Sequence, residues 1–113
     1  MKVINRTEFL KMPPGTVFAE GKKWIFSDIC IKAGNCGAND YGFTSLDAMA
    51  IECSGSTELL EFLEDSLTSG RSLPMDFECG QRDGCFNDKA LYAILEEDDI
   101  RKLITALQGC LPK

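Results

Sequence analysis

Leu91-Tyr92-Ala93-Ile94-Leu95 runs directly into Glu96-Glu97-Asp98-Asp99, and Ile100, Leu103, Ile104 and Leu107 follow. The first five residues are apolar, as in a buried strand. The four acids stand where a helix macrodipole favours negative charge. The later apolar residues recur at helical spacing, and Gly109 ends the run. This stretch predicts a strand feeding a helix over about 97–108, so strand and helix belong to one unit.

Working outward, Leu73, Met75, Phe77 and Cys79 alternate with polar or small residues, the period of a strand with one buried face. Gly80-Gln81-Arg82-Asp83-Gly84 reads as a turn. Residues 57–69 give the clearest helix. Leu59, Leu60, Leu63 and Leu67 form one apolar stripe, Ser56 can cap it, and Gly70 fits its C-terminal end.

Toward the N-terminus, Asn5-Arg6-Thr7-Glu8 has the form of a capping box, and Pro13-Pro14-Gly15 stops the short helix it opens. Thr16 to Ala19 and Lys23 to Lys32 predict two strands joined by a hairpin turn at Gly21-Lys22. Ala33 to Asp40 reads as a loop. Tyr41 to Phe43 and Ala48 to Cys53 predict short strands, although residues 46–50 also suit a helical turn. The expectation is one α+β domain over residues 1–113. It has an antiparallel β-sheet of about five or six strands covered by two main helices, about 57–69 and 97–108.

The formal net charge of -6 is unevenly spread. Residues 1–40 hold six basic and four acidic side chains, a balance of +2; the remainder holds six basic and fourteen acidic, a balance of -8. Duplex nucleic acid would be repelled by most of this surface. No apolar run approaches the roughly 18 residues of a membrane span. The first residues show no apolar export segment, which suggests a reducing, cytoplasmic compartment. The six cysteines are therefore expected as free, mostly buried thiols.

Histidine is absent, which removes the commonest general base and the Ser-His and Cys-His pairs. Cys30 and Cys36 have five residues between them, as do Cys79 and Cys85, wider than paired zinc ligands take. No EF-hand, P-loop or dinucleotide fingerprint is present. The reading is a binding protein, not an enzyme, with no metal and no cofactor.

The densest chemistry lies in Gly80 to Asp88. An Arg there suits a phosphate, a Phe suits a base, and Asn or Asp suits a sugar hydroxyl or base edge. The plain alternative is a turn held by Asp and Gly, with Phe86 in the core. Lys22, Lys23 and Trp24, with Asn39, Asp40 and Tyr41, form a second candidate surface; its plain alternative is a lysine-edged strand. Arg71 and Arg101 are single charges that suit surface ion pairs.

Three stretches together carry a resemblance. They are Ile4 to Leu10 with Pro14 to Phe18, Met75 to Gly84, and Leu91 to Ile94 with the acidic helix start. The chain resembles small proteins of tailed bacteriophages, and among them the first anti-Thoeris family. That resemblance implies a counter-defence protein in the host bacterial cytoplasm. It would sequester a cyclic nucleotide immune signal, a cyclic ADP-ribose isomer or a cyclic oligonucleotide, without cleaving it. It would assemble as a homo-oligomer, a dimer or higher. On that reading Arg82 and Arg101 meet phosphates, Phe86 or Phe77 stacks on adenine, and Asn87 and Asp83 hold ribose or base edges. Arg71 completes the candidate set. The competing expectation is an acidic protein-binding inhibitor, such as an anti-CRISPR acting by nucleic-acid mimicry. It would use Glu58, Glu61, Glu64 and Asp65.

Overall fold

The chain builds a six-stranded, wholly antiparallel sheet and three helices, as a computed structural model of residues 1–22, 25–46, 56–73, 75, 77 and 80–112 describes. The strands are β1 (Lys2–Asn5), β2 (Val17–Lys22), β3 (Ile25–Asn35), β4 (Tyr41–Ser45), β5 (Gln81–Arg82) and β6 (Leu91–Ile94). The helices are α1 (Arg6–Leu10), α2 (Ser56–Ser69) and α3 (Glu97–Gln108). The sheet order is β1-β6-β2-β3-β4-β5, so the α+β expectation holds and both long helices fall where periodicity puts them.

Local chemistry explains the element ends. Asn5 caps α1, its side chain accepting from the Glu8 amide at 2.9 Å. Gly15, at a φ of +92°, completes the turn that Pro13 and Pro14 begin. Asp99 accepts from the Glu96 amide at 2.9 Å and from the N-terminal ammonium at 2.7 Å, which ties α3 to the start of β1.

The core lies on one sheet face. Phe18 of β2 pairs with Cys30 of β3 and Ile94 of β6, and Glu20 pairs with Tyr92, so Phe18, Cys30, Tyr92 and Ile94 project to the same side. α1 lays Phe9 onto them. Phe9 stacks on Tyr92 at 4.0 Å and 3°, and meets Phe18 at 4.6 Å and Tyr41 edge-on at 4.9 Å. Burying each such ring is worth roughly 1.5–3 kcal/mol, and the ring pairs add about 0.5–1.5 kcal/mol each. Lys32 is buried against the same cluster. Its ammonium donates to the Met12 carbonyl at 2.8 Å and to Asn35 Oδ1 at 2.9 Å, 5.6 Å from the centre of Phe9. Burial lowers its pKa.

Several expectations change. β1 was not foreseen; it is a short N-terminal strand whose partner β6 is distant in sequence. Gly21 and Lys22 are strand, since pairing continues to Lys22 opposite Ile25. At Gly21 a Cβ would meet the Ile25 carbonyl at 2.5 Å, so the close β2–β3 approach there requires glycine. β3 extends through Ala33 to Asn35, into the expected loop, with a register shift after Lys32. Gln81-Arg82 is not a turn but a short strand on β4, pairing Gly42 with Arg82. The expected strand at 48–53 lies outside the described residues, as do residues 74, 76, 78 and 79 of the one at 73–79.

The helix stripes are more exposed than expected: Leu60, Leu63, Leu67, Ile104 and Leu107 are all exposed. Between α3 and the second sheet face runs a mainly apolar groove of about 550 Å³, lined by Ile29, Leu46, Met75, Phe77, Leu103 and Leu107, with Asp28 at its border. Cys30 is buried, but Cys36, Cys85 and Cys110 are exposed, correcting the expectation of mostly buried thiols. These three stand in two loops and at the end of α3, away from the aromatic core. Among the described residues, no helix is long and apolar enough to cross a membrane.

Candidate functional site

The loop after β5 is pinned from beneath by two buried charged side chains. The first is Arg6, 4% exposed at the start of α1. It donates to Asp83 Oδ2 at 3.0 Å, to the Tyr92 hydroxyl at 3.0 Å and to the Asn39 carbonyl at 2.5 Å. Burial works against its charge, but Tyr92 and Asp83 outweigh it and hold its pKa above the ordinary value. The second is Asp40, 1% exposed. Its carboxylate accepts from the amides of Tyr41 and Gly84 at 3.0 Å each, and from Arg82 Nε. Burial works to raise the pKa of Asp40. The Arg82 hydrogen bond and the two amides prevail, and hold it below the usual carboxylate range. The Asp83 amide also donates to the Tyr41 carbonyl at 3.0 Å, which extends the β4–β5 edge by one bond.

Tyr41 and Tyr92 lie between these anchors and the aromatic core. Both phenols are pushed to higher pKa, first by burial. The Tyr41 hydroxyl donates to Glu20 Oε2 at 3.2 Å. The two tyrosines therefore stay neutral and serve as hydrogen-bonding floor, not as bases.

What the loop displays differs from what anchors it. Arg82 keeps 62% of its side chain exposed although Asp40 holds it at Nε. The face of the guanidinium away from Nε is thus presented to solvent in a fixed pose. Gly84 turns the chain at a φ of +66°. Phe86 also adopts a left-handed conformation, φ +52°, with its residue 51% exposed. That backbone costs an L-residue about 1–2 kcal/mol, and an exposed ring returns little of it. The plain expectation that Phe86 sits in the core is overturned. Asn87 closes a small turn, its Oδ1 accepting from the Lys89 amide at 3.1 Å and its carbonyl from the Ala90 amide at 3.1 Å.

Arg82, Asp83, Phe86 and Asn87 thus share one loop, but Asp83 faces inward and is occupied by Arg6. The remaining candidates stand elsewhere. Arg101 pairs with Glu97 along α3 at 2.6 Å. Arg71 follows α2, pairs with Asp65 at 3.3 Å and lies 5.4 Å from the Phe62 ring centre. Phe77 lines the apolar groove. Among the described residues, none of the hydrogen bonds or ring contacts of these three reaches the 82–88 loop. Of the second candidate surface, Asp40 and Tyr41 are fully buried, while Lys23 and Trp24 lie outside the described residues.

Sequence reasoning missed Arg6 and Asp40 as anchors. Both are charged residues in short polar stretches, and their partners are 77 and 42 residues away. Among the described residues, no three Cys, Asp or Glu side chains cluster as a metal site would require. Comparisons of the chain with protein-family models, curated proteins and solved structures found no match.

Proposed function

We propose that this chain is a non-catalytic binding protein that takes up a small phosphorylated nucleotide on the loop after β5. The single observation that carries this reading is the pairing of a rigid base with an exposed tip. Arg6–Asp83 and Asp40–Gly84 fix the loop, and Arg82 and Phe86 stand out from it. An immobilised guanidinium suits a phosphate, and a projecting ring suits a base. Preorganisation reduces the ordering cost of binding. The resemblance to the anti-Thoeris family supplies the ligand class: a cyclic ADP-ribose isomer, or a cyclic oligonucleotide, held intact. Sequestration needs affinity and abundance but no turnover.

Calorimetry of the purified chain with cyclic ADP-ribose isomers and cyclic di- and trinucleotides tests the proposal. Binding is expected, with loss in Arg82→Ala while the fold persists. No heat with any of them at micromolar protein sinks it. Ligand recovered intact after heat release fits sequestration; cleaved ligand makes the protein an enzyme.

One observation favours a second reading. α2 exposes Leu60, Leu63 and Leu67 beside the exposed Glu61 and Glu64. Such a helix suits an acidic inhibitor that docks on a basic protein channel. Pull-down against host nucleases tests it, and binding indifferent to salt counts against charge mimicry.

A further inference from the structure

The chain leaves two apolar surfaces uncovered, the leucine stripe of α2 and the groove beside α3. Leu60, Leu63 and Leu67 recur at i, i+3 and i+7, so they share one helix face, and all three are exposed. In the groove, Met75, Phe77 and Leu107 are each more than half exposed. Scattered apolar side chains on a surface need no explanation, whereas a continuous stripe and a continuous groove call for cover.

Connectivity decides which cover is at hand. Leu46 and Met75 both line the groove, and α2 is the element between them. Leu46 precedes Ser56 by ten residues, and Met75 follows Ser69 by six. Six residues of chain span at most about 22 Å, so the C-terminal end of α2 stays within that distance of the groove. Tethering at this range gives the helix an effective concentration of about millimolar at the groove, above that of a free partner. From Leu60 to Leu67 the stripe runs about 10 Å along the helix, enough to lie along the turn of α3 that carries Leu103 and Leu107. Glu61 and Asp65 stand on the other side of α2, where they stay in water when the leucines are seated.

We propose that α2 is a lid that closes on this groove, its leucines packing against Phe77 and against Leu103 and Leu107 of α3. The open position exposes both apolar surfaces together, and the closed position buries both. The lid does not depend on the nucleotide reading, and either can fail alone. It does bear on the inhibitor reading, because the docking stripe of α2 is free only while the lid is open.

The test is methyl NOE spectroscopy of the full chain with labelled leucine and isoleucine methyls. The expected result is contact between Leu60, Leu63 or Leu67 and Ile29, Leu103 or Leu107, retained on dilution. Leu107→Asn should abolish these contacts and lower the hydrogen-exchange protection of the α2 amides by about tenfold or more, with the β2 and β6 amides unchanged. Leu67→Asn, at an exposed position of α2, should do the same, and it decides the matter if the Leu107 variant unfolds. The proposal is overturned if no contact joins stripe and groove, or if α2 protection is unchanged in a folded variant. Contacts found only between differently labelled copies in a mixed sample overturn it too, since the occupant of the groove is then a second chain.

Discussion

Arg6 and Asp83 meet at 3.0 Å with both side chains 5% exposed, joining the first helix to the candidate loop across 77 residues of sequence. This pair, together with Asp40 on Arg82 and Gly84, holds the loop in place.

Removing one partner should therefore be costly. Arg6→Ala leaves the Asp83 carboxylate, the Tyr92 hydroxyl and the Asn39 carbonyl without their shared donor. The expected loss is about 3–5 kcal/mol in urea unfolding. Replacing both partners by apolar residues, Arg6→Met with Asp83→Leu, should lose much less, because no charge is stranded. Equal losses in the single and double variants would mean that the ion pair is not the anchor.

Asp40 should give the acid limb of stability. Its pKa lies below the ordinary value of 3.8 in the folded chain. Its contribution is then present in full above the unfolded value and is lost as pH falls through the lower, folded one. Arg82→Ala removes the guanidinium and leaves burial opposed by the two amides alone. The Asp40 carboxyl should then titrate at higher pH, read by carbon-detected NMR. An unmoved titration would separate Arg82 from Asp40 in solution.

Phe86→Gly should leave stability unchanged or raise it. Relief of the left-handed backbone returns about 1–2 kcal/mol, against about 0.5–1 kcal/mol of glycine entropy. Nucleotide uptake should fall in the same variant. A clear loss of stability would show that the ring packs in solution, and would remove it from the ligand face.

The thiols should divide by burial. Among the four described cysteines, Cys36, Cys85 and Cys110 should react with a thiol reagent in the folded chain, and Cys30 only on unfolding. Mass spectrometry after a short alkylation pulse reads this directly. Rapid labelling of Cys30 would mean that the core opens under native conditions.

Periodicity served well where one element carries its own signal. The acids before Ile100 and the leucines of 59–67 placed α3 and α2 to within a residue or so. It failed where partners are remote. Lys2 to Asn5 is too short and polar to read as a strand, and forms one because β6 offers it an edge. Gln81-Arg82 reads as a turn by composition, yet pairs with β4 because Asp40 and Tyr41 hold its far end. In the candidate loop, residue types alone marked Arg82, Phe86 and Asn87. They did not separate the outward Arg82 and Phe86 from the inward Asp83, since that depends on an arginine near the other end of the chain.

The sheet order carries a consequence for synthesis. β6 lies between β1 and β2, so both strands that the ribosome delivers early wait for residues 91–94. Until then β2 is an unprotected edge, and β1 has nothing to join. Such long-range closure is slow, and open strand edges invite pairing between nascent chains. For this protein the hazardous interval of translation is therefore fixed by topology, and it ends when Leu91 to Ile94 clears the exit tunnel.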